Sequence, residues 1–207
     1  KVENMYCMFA GSSTYPMGLQ TLDVSDWNTG NVTNMSAVFN HCASLSALDL
    51  SNWGVSGVTT MHGMFQCCGS LTTIGNTKDW DTGNVTNMRA MFYACQSLAS
   101  LDLSSFDTSK VTDMSAFAGW LSNVKILNLN NLHATDEKTI IEDDDRFLLN
   151  TAAEKIYLND LDTLNTAMRF LPDRVGKEPG KLVTALELDD EVITSLTAKN
   201  WVVKKLV

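Results

Sequence analysis

Several short segments contain residue types that perform chemistry in other proteins. Asp81-Thr82-Gly83 has the sequence of the aspartic-protease triplet, in which paired carboxylates share a proton and activate water. Five cysteines are present, and Cys67 and Cys68 lie near His62, which together offer thiolate and imidazole groups to a metal. The acidic run Glu142-Asp143-Asp144-Asp145 offers carboxylates to calcium, although it lacks the Asp-x-Asp-x-Asp-Gly spacing of an EF-hand loop.

The surrounding sequence favours structural explanations for these segments. Positions equivalent to Asp81-Thr82-Gly83 read Asn28-Thr29-Gly30, Gly54-Val55-Ser56 and Asp107-Thr108-Ser109, and such residues often bond their own backbone in turns. The cysteines include no CxxC pair, and their odd number favours free, buried thiols over disulfides. We therefore expect no catalytic residues, no metal site and no cofactor, and we expect the acidic run at 142–145 to be a solvated loop.

A repeat of about 26 residues explains why these positions recur. Successive copies are marked by Met5, Met35, Met61, Met88 and Met114, which stand 30, 26, 27 and 26 residues apart. Each copy contains apolar residues at i, i+3 and i+4, such as Met35, Val38 and Phe39, followed by alternating leucines, such as Leu48 and Leu50. The first spacing predicts a short helix, and the second predicts a short strand.

The repeat resembles one subfamily of leucine-rich repeats in detail. Residues 89–110 read RAMFYACQSLASLDLSSFDTSK, which is similar, nearly position for position, to the BspA-type repeat of bacterial surface proteins. The similarity covers residues 1–131. It implies a secreted or surface-attached bacterial protein of a kind often associated with adhesion.

The predicted fold class is α/β: a leucine-rich-repeat solenoid with a short helix and a short strand per copy and a curved parallel sheet on one face. Stacking strands about 4.8 Å apart joins apolar faces that one copy cannot bury alone. We assign residues 1–131 to BspA-type repeats and residues 132–207 to degenerate repeats that form a C-terminal cap. The second part contains 25 of the 39 charged residues and no cysteine, as a polar cap requires. A separate small α+β domain is the alternative.

Regular elements are also predicted towards the end of the chain. The predicted strands cover residues 124–129, 155–158, 182–188 and 201–206. Two helices are predicted from apolar spacing and from residues that favour helix ends. The first covers residues 161–171 and ends before Pro172. The second covers residues 190–199, beginning with acidic residues and ending with a basic one.

Outward-facing residues on the predicted strands form the candidate binding surface. In each strand one residue lies between two inward-facing apolar residues, as Asp49 lies between Leu48 and Leu50. This ladder consists of Asp23, Asp49, Asp102, Asn128, Tyr157 and Glu187, with Gly75 in the third copy. Exposed carboxylates about 5 Å apart repel by only about 1 kcal/mol in water, so the ladder needs no ligand. Bonding to neighbouring backbone explains it as well as binding does; a binding ladder would suit a basic or hydroxyl-rich partner.

The expected function is that of a non-enzymatic interaction module, which binds a protein or glycan through this face. The formal net charge of -9 disfavours nucleic acids and anionic membranes as partners. No segment reaches the roughly 18 to 20 apolar residues of a spanning helix, so no membrane insertion is expected. The resemblance implies an extracellular or cell-surface location, and we expect a monomer. The alternative is a structural spacer that carries another domain on a cell surface or phage tail.

Overall fold

One parallel sheet and two fully described helices form the regular structure of this α/β protein. The computed structural model describes residues 1–75, 77–135, 138, 147–148, 150–169, 171, 174 and 178–205. The strands are β1 Ser100–Asp102, β2 Ile126–Asn128, β3 Lys155–Tyr157, β4 Gly180–Thr184 and β5 Trp201–Lys205, in that order across the sheet. The helices are α1 Leu161–Met168 and α2 Asp190–Ala198. The acidic run at 142–145 lies outside the described residues.

All four strand pairs of the sheet are parallel. Leu101, Leu127, Ile156 and Leu182 occupy equivalent places on adjacent strands, and all four are buried. The residues before and after each of the first three face outward, as the period of a strand requires. Because β1 and β2 precede residue 131 while β3 to β5 follow it, a single sheet crosses the boundary predicted there.

Each of the first five copies contains hydrogen-bonded turns after its methionine. In the second copy, Asn40 N donates to Ala37 O at 3.2 Å and Cys42 N donates to Phe39 O at 3.0 Å. Other N–H groups donate to the third copy: Met35 N to Thr60 O (3.0 Å), Ala37 N to His62 O (2.8 Å), Phe39 N to Met64 O (3.0 Å) and His41 N to Gln66 O (2.8 Å). The pattern recurs between later copies, so successive copies lie side by side.

The short helix predicted in each of these copies is wrong. Residues with positive φ stand four positions apart in the turns, as Ala37 (54°) and His41 (55°) do in the second copy and Ala90 (51°) and Ala94 (58°) do in the fourth. This left-handed backbone interrupts the i to i−4 bonds of a helix. The apolar residues of the segment are still buried, because two successive turns bring them to the same side.

The strands predicted in the earliest copies are reduced to isolated contacts. A parallel bridge joins Ala47 to Thr73, and Leu48 N donates to Thr73 O at 3.1 Å. In the part of the chain that the structure describes, no backbone hydrogen bond joins residues 71–75 to residues 98–102. The sheet proper therefore begins at β1.

A column of phenylalanine rings, four pairs stacked and the Phe92–Phe117 pair edge-to-face, runs through the core. The column runs through Phe9, Phe39, Phe65, Phe92, Phe117 and Phe147, with neighbouring ring centroids 5.4 to 5.9 Å apart. Such ring pairs add favourable contacts to the burial of apolar area. Since Phe147 belongs to residues 132–207, the column, like the sheet, crosses the predicted boundary.

Capping residues define the starts of both helices. Asp160 Oδ2 accepts a hydrogen bond from Thr163 N at 2.7 Å, and Asp189 Oδ1 accepts one from Val192 N at 2.8 Å. A carboxylate at this position satisfies a free N–H group and interacts favourably with the helix dipole. The two helix predictions are confirmed, although α1 ends at Met168 rather than at residue 171. None of the helices in the described residues has both the length and the apolar character for crossing a membrane.

Candidate functional site

The structure brings the predicted ladder residues together in two groups. Asp102, Asn128 and Tyr157 are direct Cα partners on β1, β2 and β3. Asp23 lies close enough to Asp49 for its charge to oppose the ionisation of Asp49. We call the outward residues of these strands and strand-like segments the strand face.

The aspartates of the strand face accept hydrogen bonds within their own turns. Asp23 Oδ1 accepts from Ser25 Oγ at 2.7 Å and Ser25 N at 3.1 Å, and Asp49 Oδ1 accepts from Ser51 N at 3.0 Å. Asp102 Oδ1 repeats the pattern with Oγ and N of Ser104, at 2.7 and 3.0 Å. Hydrogen bonds from the serine hydroxyl and N–H hold the pKa of Asp23 and of Asp49 below the usual aspartate value, because they favour the charged form. The aspartates therefore have a structural role.

Gly75 separates the two groups of ladder residues. Its φ of 79° suits glycine, and a Cβ at this position would lie 2.7 Å from Asp49 Oδ1. On its other side, a cavity of about 220 Å³ lies between the third copy and β1, with Thr72, Ser100 and Asp102 among the residues that line it. The strand face is therefore not continuous along the chain.

Glu187 does not continue the ladder, contrary to the prediction. Val183 is the partner of Tyr157 on β4, and Lys204 is the partner of Val183 on β5. Glu187 lies beyond β4 and forms an ion pair with Lys205.

The packing of Gly180 explains the error at Glu187. A Cβ at Gly180 would lie 2.5 Å from the ring of Trp201, so this position in β4 requires glycine. Gly180 is the partner of Trp201 on β5, and β4 covers Gly180–Thr184, whereas the sequence pattern placed the strand at 182–188.

An open cleft on the outward side of β2 to β5 contains basic residues that the sequence analysis did not single out. Its volume is about 700 Å³. Its basic lining residues are Lys125, Lys155, Arg174, Lys181 and Lys204. Ile126, Lys155, Lys181 and Val202 are successive Cα partners, so they form one row across four strands. We call this region the basic cleft.

Only part of the positive charge of the basic cleft is balanced within it. Lys125 Nζ donates to Glu154 Oε1 at 2.7 Å, and this contact holds the pKa of Glu154 below its usual value. The Lys155 ammonium lies 4.4 Å from the centroid of the Tyr157 ring, a cation–π arrangement. Lys181 and Lys204 have no carboxylate within 4.0 Å among the residues that are described. The cleft thus has a surplus of positive charge in a protein whose formal net charge is -9.

Arg174 is the buried member of this group, with 9% of its surface exposed. Its Nε donates to Glu178 O at 3.0 Å and its Nη1 donates to Ala153 O at 3.3 Å. Its guanidinium also lies 5.8 Å from the ring of Trp201. These contacts fix the position of one cation of the basic cleft.

A period-two signal for the basic cleft is present in the sequence. Lys155 directly precedes the buried Ile156, and Lys181 directly precedes the buried Leu182. Outward positions that flank the ladder were predicted only for the first four copies, so Lys155 and Lys181 were not recognised. The correct register of β4 was also needed to align Lys181 with Lys155.

The other candidate chemical groups have structural roles. Asp81 Oδ1 accepts from Gly83 N at 3.2 Å, and the buried Thr82 Oγ1 donates to Asp107 O at 3.0 Å, which confirms the predicted turn. All five cysteines are free, as predicted, but Cys7 is exposed and Cys67 is only half-buried, contrary to the expectation of burial. Burial raises the pKa of Cys42 to about 11, and its Sγ donates to Phe9 O at 3.2 Å. In the described parts of the chain, no three His, Cys, Asp or Glu residues are arranged to hold a metal ion.

The sheet, the stacked turns and the strand face define an α/β protein that presents a polar surface on its strands. Residues 3–131 match the family described as "Mycoplasma protein of unknown function, DUF285". The chain belongs to this family. No curated protein matches the chain. No solved structure matches it either.

Proposed function

We propose that the protein is a non-enzymatic interaction module that binds a protein or glycan through its strand face. The observation that carries the proposal is the alignment of outward side chains on neighbouring strands, in particular Asp102, Asn128 and Tyr157. Fixed backbone pairing places such side chains at regular intervals and limits the conformational entropy lost on binding. A preorganised surface of this kind suits recognition of a partner.

The proposed architecture is a leucine-rich-repeat solenoid of BspA type, with residues 132–207 as degenerate, capping repeats. Two observations support it. Hydrogen bonds at equivalent positions link consecutive copies, and the phenylalanine column and the parallel sheet both continue past residue 131. The proposed setting is the outside of a bacterial cell, and the proposed state is a monomer. The setting rests on the resemblance of residues 1–131 to bacterial surface repeats.

A binding screen of the complete chain tests this function. The immobilised protein is exposed to panels of extracellular matrix proteins and glycans, and we expect at least one reproducible ligand. Asp49→Lys combined with Asp102→Lys should weaken that binding, or move it to another ligand, because both residues lie on the strand face. Asp26→Lys combined with Asp79→Lys is the matched control, since both residues are exposed and cause the same change in charge. No ligand above background, or equal effects of the two variants, would contradict the proposal.

The spacer is the second candidate function, and the hydrogen bonds of the aspartates favour it. The Oδ1 atoms of Asp23, Asp49 and Asp102 are occupied within their own turns, as in a purely structural role. If the chain is a spacer, charge reversal on the strand face should leave the ligand binding of any protein that contains this chain unchanged. The two variants described above therefore discriminate between the two functions.

A further inference from the structure

We propose that the basic cleft binds an acidic polysaccharide, with lysines on β3, β4 and β5 contacting its carboxylate or sulfate groups. This inference rests on the proposed function, because it assigns a chemical class of ligand to one part of the strand face. It differs from the sequence expectation, in which an acidic ladder would meet a basic or hydroxyl-rich partner.

The spacing of the lysines favours an extended polyanion over a single small anion. Lys155, Lys181 and Lys204 lie on three consecutive strands, and neighbouring strands are about 4.8 Å apart. The three ammonium groups therefore sample a width of about 10 Å across the sheet. One inorganic ion cannot contact all of them, whereas consecutive acidic groups of one chain can.

The apolar residues of the basic cleft favour a sugar over a simple charged surface. Ile126 and Val202 lie at the two ends of the row that contains Lys155 and Lys181, and they are 45% and 41% exposed. Pro179 also lines the cleft. The C–H faces of a sugar ring can pack on such residues while its charged groups reach the lysines. Specific sites commonly combine an apolar lining with a few placed polar groups.

The backbone of the sheet disfavours an acidic peptide at the same place. The cleft lies on the face of β2 to β5, where neighbouring strands already pair with one another in parallel ladders. A peptide gains affinity from main-chain hydrogen bonds when it adds to an open sheet edge. In the described sheet β5 is the last strand, so such an edge lies beside the cleft, but the face of β2 to β5 has none. An acidic peptide lying on this face would depend on its side chains alone.

Titration of the complete chain with defined oligosaccharides tests the proposal. The probes are an oligogalacturonate, which carries carboxylates, a heparin-derived oligosaccharide, which carries sulfates, and a neutral malto-oligosaccharide of similar length. We expect saturable binding of at least one acidic probe, weakened by salt because the contacts are solvent-exposed, and no binding of the neutral probe. A polyglutamate peptide of matched charge should bind more weakly than the best acidic sugar.

Charge reversal within the chain locates the binding. Lys155→Glu, Lys181→Glu and Lys204→Glu together should reduce the affinity by about tenfold or more. The matched control combines Lys1→Glu, Lys78→Glu and Lys110→Glu, which are exposed, lie outside the basic cleft and change the net charge equally. The control should retain most of the affinity, and circular dichroism should show that both variants are folded.

Four outcomes overturn the proposal: no acidic sugar binds, the neutral sugar binds equally well, the control variant loses as much affinity as the cleft variant, or polyglutamate binds at least as tightly. The screen described under the proposed function separates the two ideas. If the screen finds another ligand, and the double variant Asp49→Lys with Asp102→Lys weakens its binding, only the assignment of the basic cleft fails. If the screen finds no ligand either, the proposed function fails as well.

Discussion

The strand face has two parts with opposite charge and different side-chain contacts. In the first part, Asp23, Asp49 and Asp102 bond to serines two residues further along the chain. In the second part, Lys155, Lys181 and Lys204 project from neighbouring strands, and within the described residues neither Lys181 nor Lys204 meets a carboxylate. The two parts of this face therefore need not have the same role. The aspartates close turns, whereas the lysines, of which only Lys204 lies in the row of Asp102, leave charge available to a ligand.

The largest predicted effect is on the free energy of unfolding. It tests whether residues 1–131 and residues 132–207 share one core. Phe117 is fully buried and contacts both Phe92 and Phe147, at centroid distances of 5.6 and 5.9 Å. Phe117→Ala should lower the free energy of unfolding by about 3–5 kcal/mol, because it leaves a cavity in the column. Urea unfolding measures this loss, and hydrogen exchange should show that amides of β3 to β5 lose protection too.

A matched surface substitution provides the comparison for Phe117→Ala. Tyr15 is 81% exposed, so Tyr15→Ala should change the free energy of unfolding by less than about 0.5 kcal/mol. Unchanged protection of β3 to β5 in Phe117→Ala would mean that residues 132–207 fold as a separate domain, which was the alternative to degenerate repeats.

A smaller loss in the free energy of unfolding is predicted for a substitution where α1 contacts the preceding part of the chain. The buried Thr163 Oγ1 donates to Leu132 O at 2.6 Å and accepts from Ala134 N at 2.8 Å. Thr163→Val keeps the shape but leaves these two backbone groups without their partner, at a cost of about 1–3 kcal/mol. Thermal or urea unfolding measures the change. Thr197→Val on α2, which removes an exposed bond to Ile193 O, should cost less than about 0.5 kcal/mol; equal losses would contradict the proposed role of Thr163.

The smallest predicted effect is a change in the urea midpoint when the aspartate of a strand-face turn is replaced. Asp49→Ala removes an acceptor and should lower the urea midpoint slightly at neutral pH, whereas Asp49→Asn can keep an acceptor and should change it less. Because the folded pKa of Asp49 is lowered, its contribution is present above the unfolded pKa and is lost as the pH falls through the folded pKa. The midpoints of the wild type and Asp49→Ala should therefore approach each other in acid. A difference that grew in acid would be inconsistent with this role.

Local signals in the sequence were sufficient where short-range interactions determine the structure. Apolar spacing over 161–171 and the acids that begin 190–199 predicted α1 and α2, because both signals lie within the helices themselves. The turn at Asp81-Thr82-Gly83 was recognisable because equivalent positions in other copies contain similar turn residues.

Contacts between copies could not be predicted in the same way. The spacing of Met35, Val38 and Phe39 is compatible with a helix, but the segment adopts left-handed residues and donates alternate N–H groups to the next copy. The spacing of apolar residues does not distinguish these arrangements.

The same limitation explains the register of β4 and the basic cleft. Packing of Gly180 against Trp201 fixes the strand, and this contact spans about 20 residues of sequence. With that register unknown, Glu187 was assigned to the ladder, and the alignment of Lys181 with Lys155 was not seen.

Methyl NMR, with whichever of the two acidic oligosaccharides binds more tightly, tests most directly whether the strand face binds ligands. Ile126 and Val202 report on the basic cleft, whereas the similarly exposed Ile193 on α2 and Val2 lie elsewhere. We expect saturable shifts of the Ile126 and Val202 methyl signals, with those of Ile193 and Val2 unchanged. Shifts of equal size at all four residues, or shifts at Ile193 and Val2 alone, would contradict it.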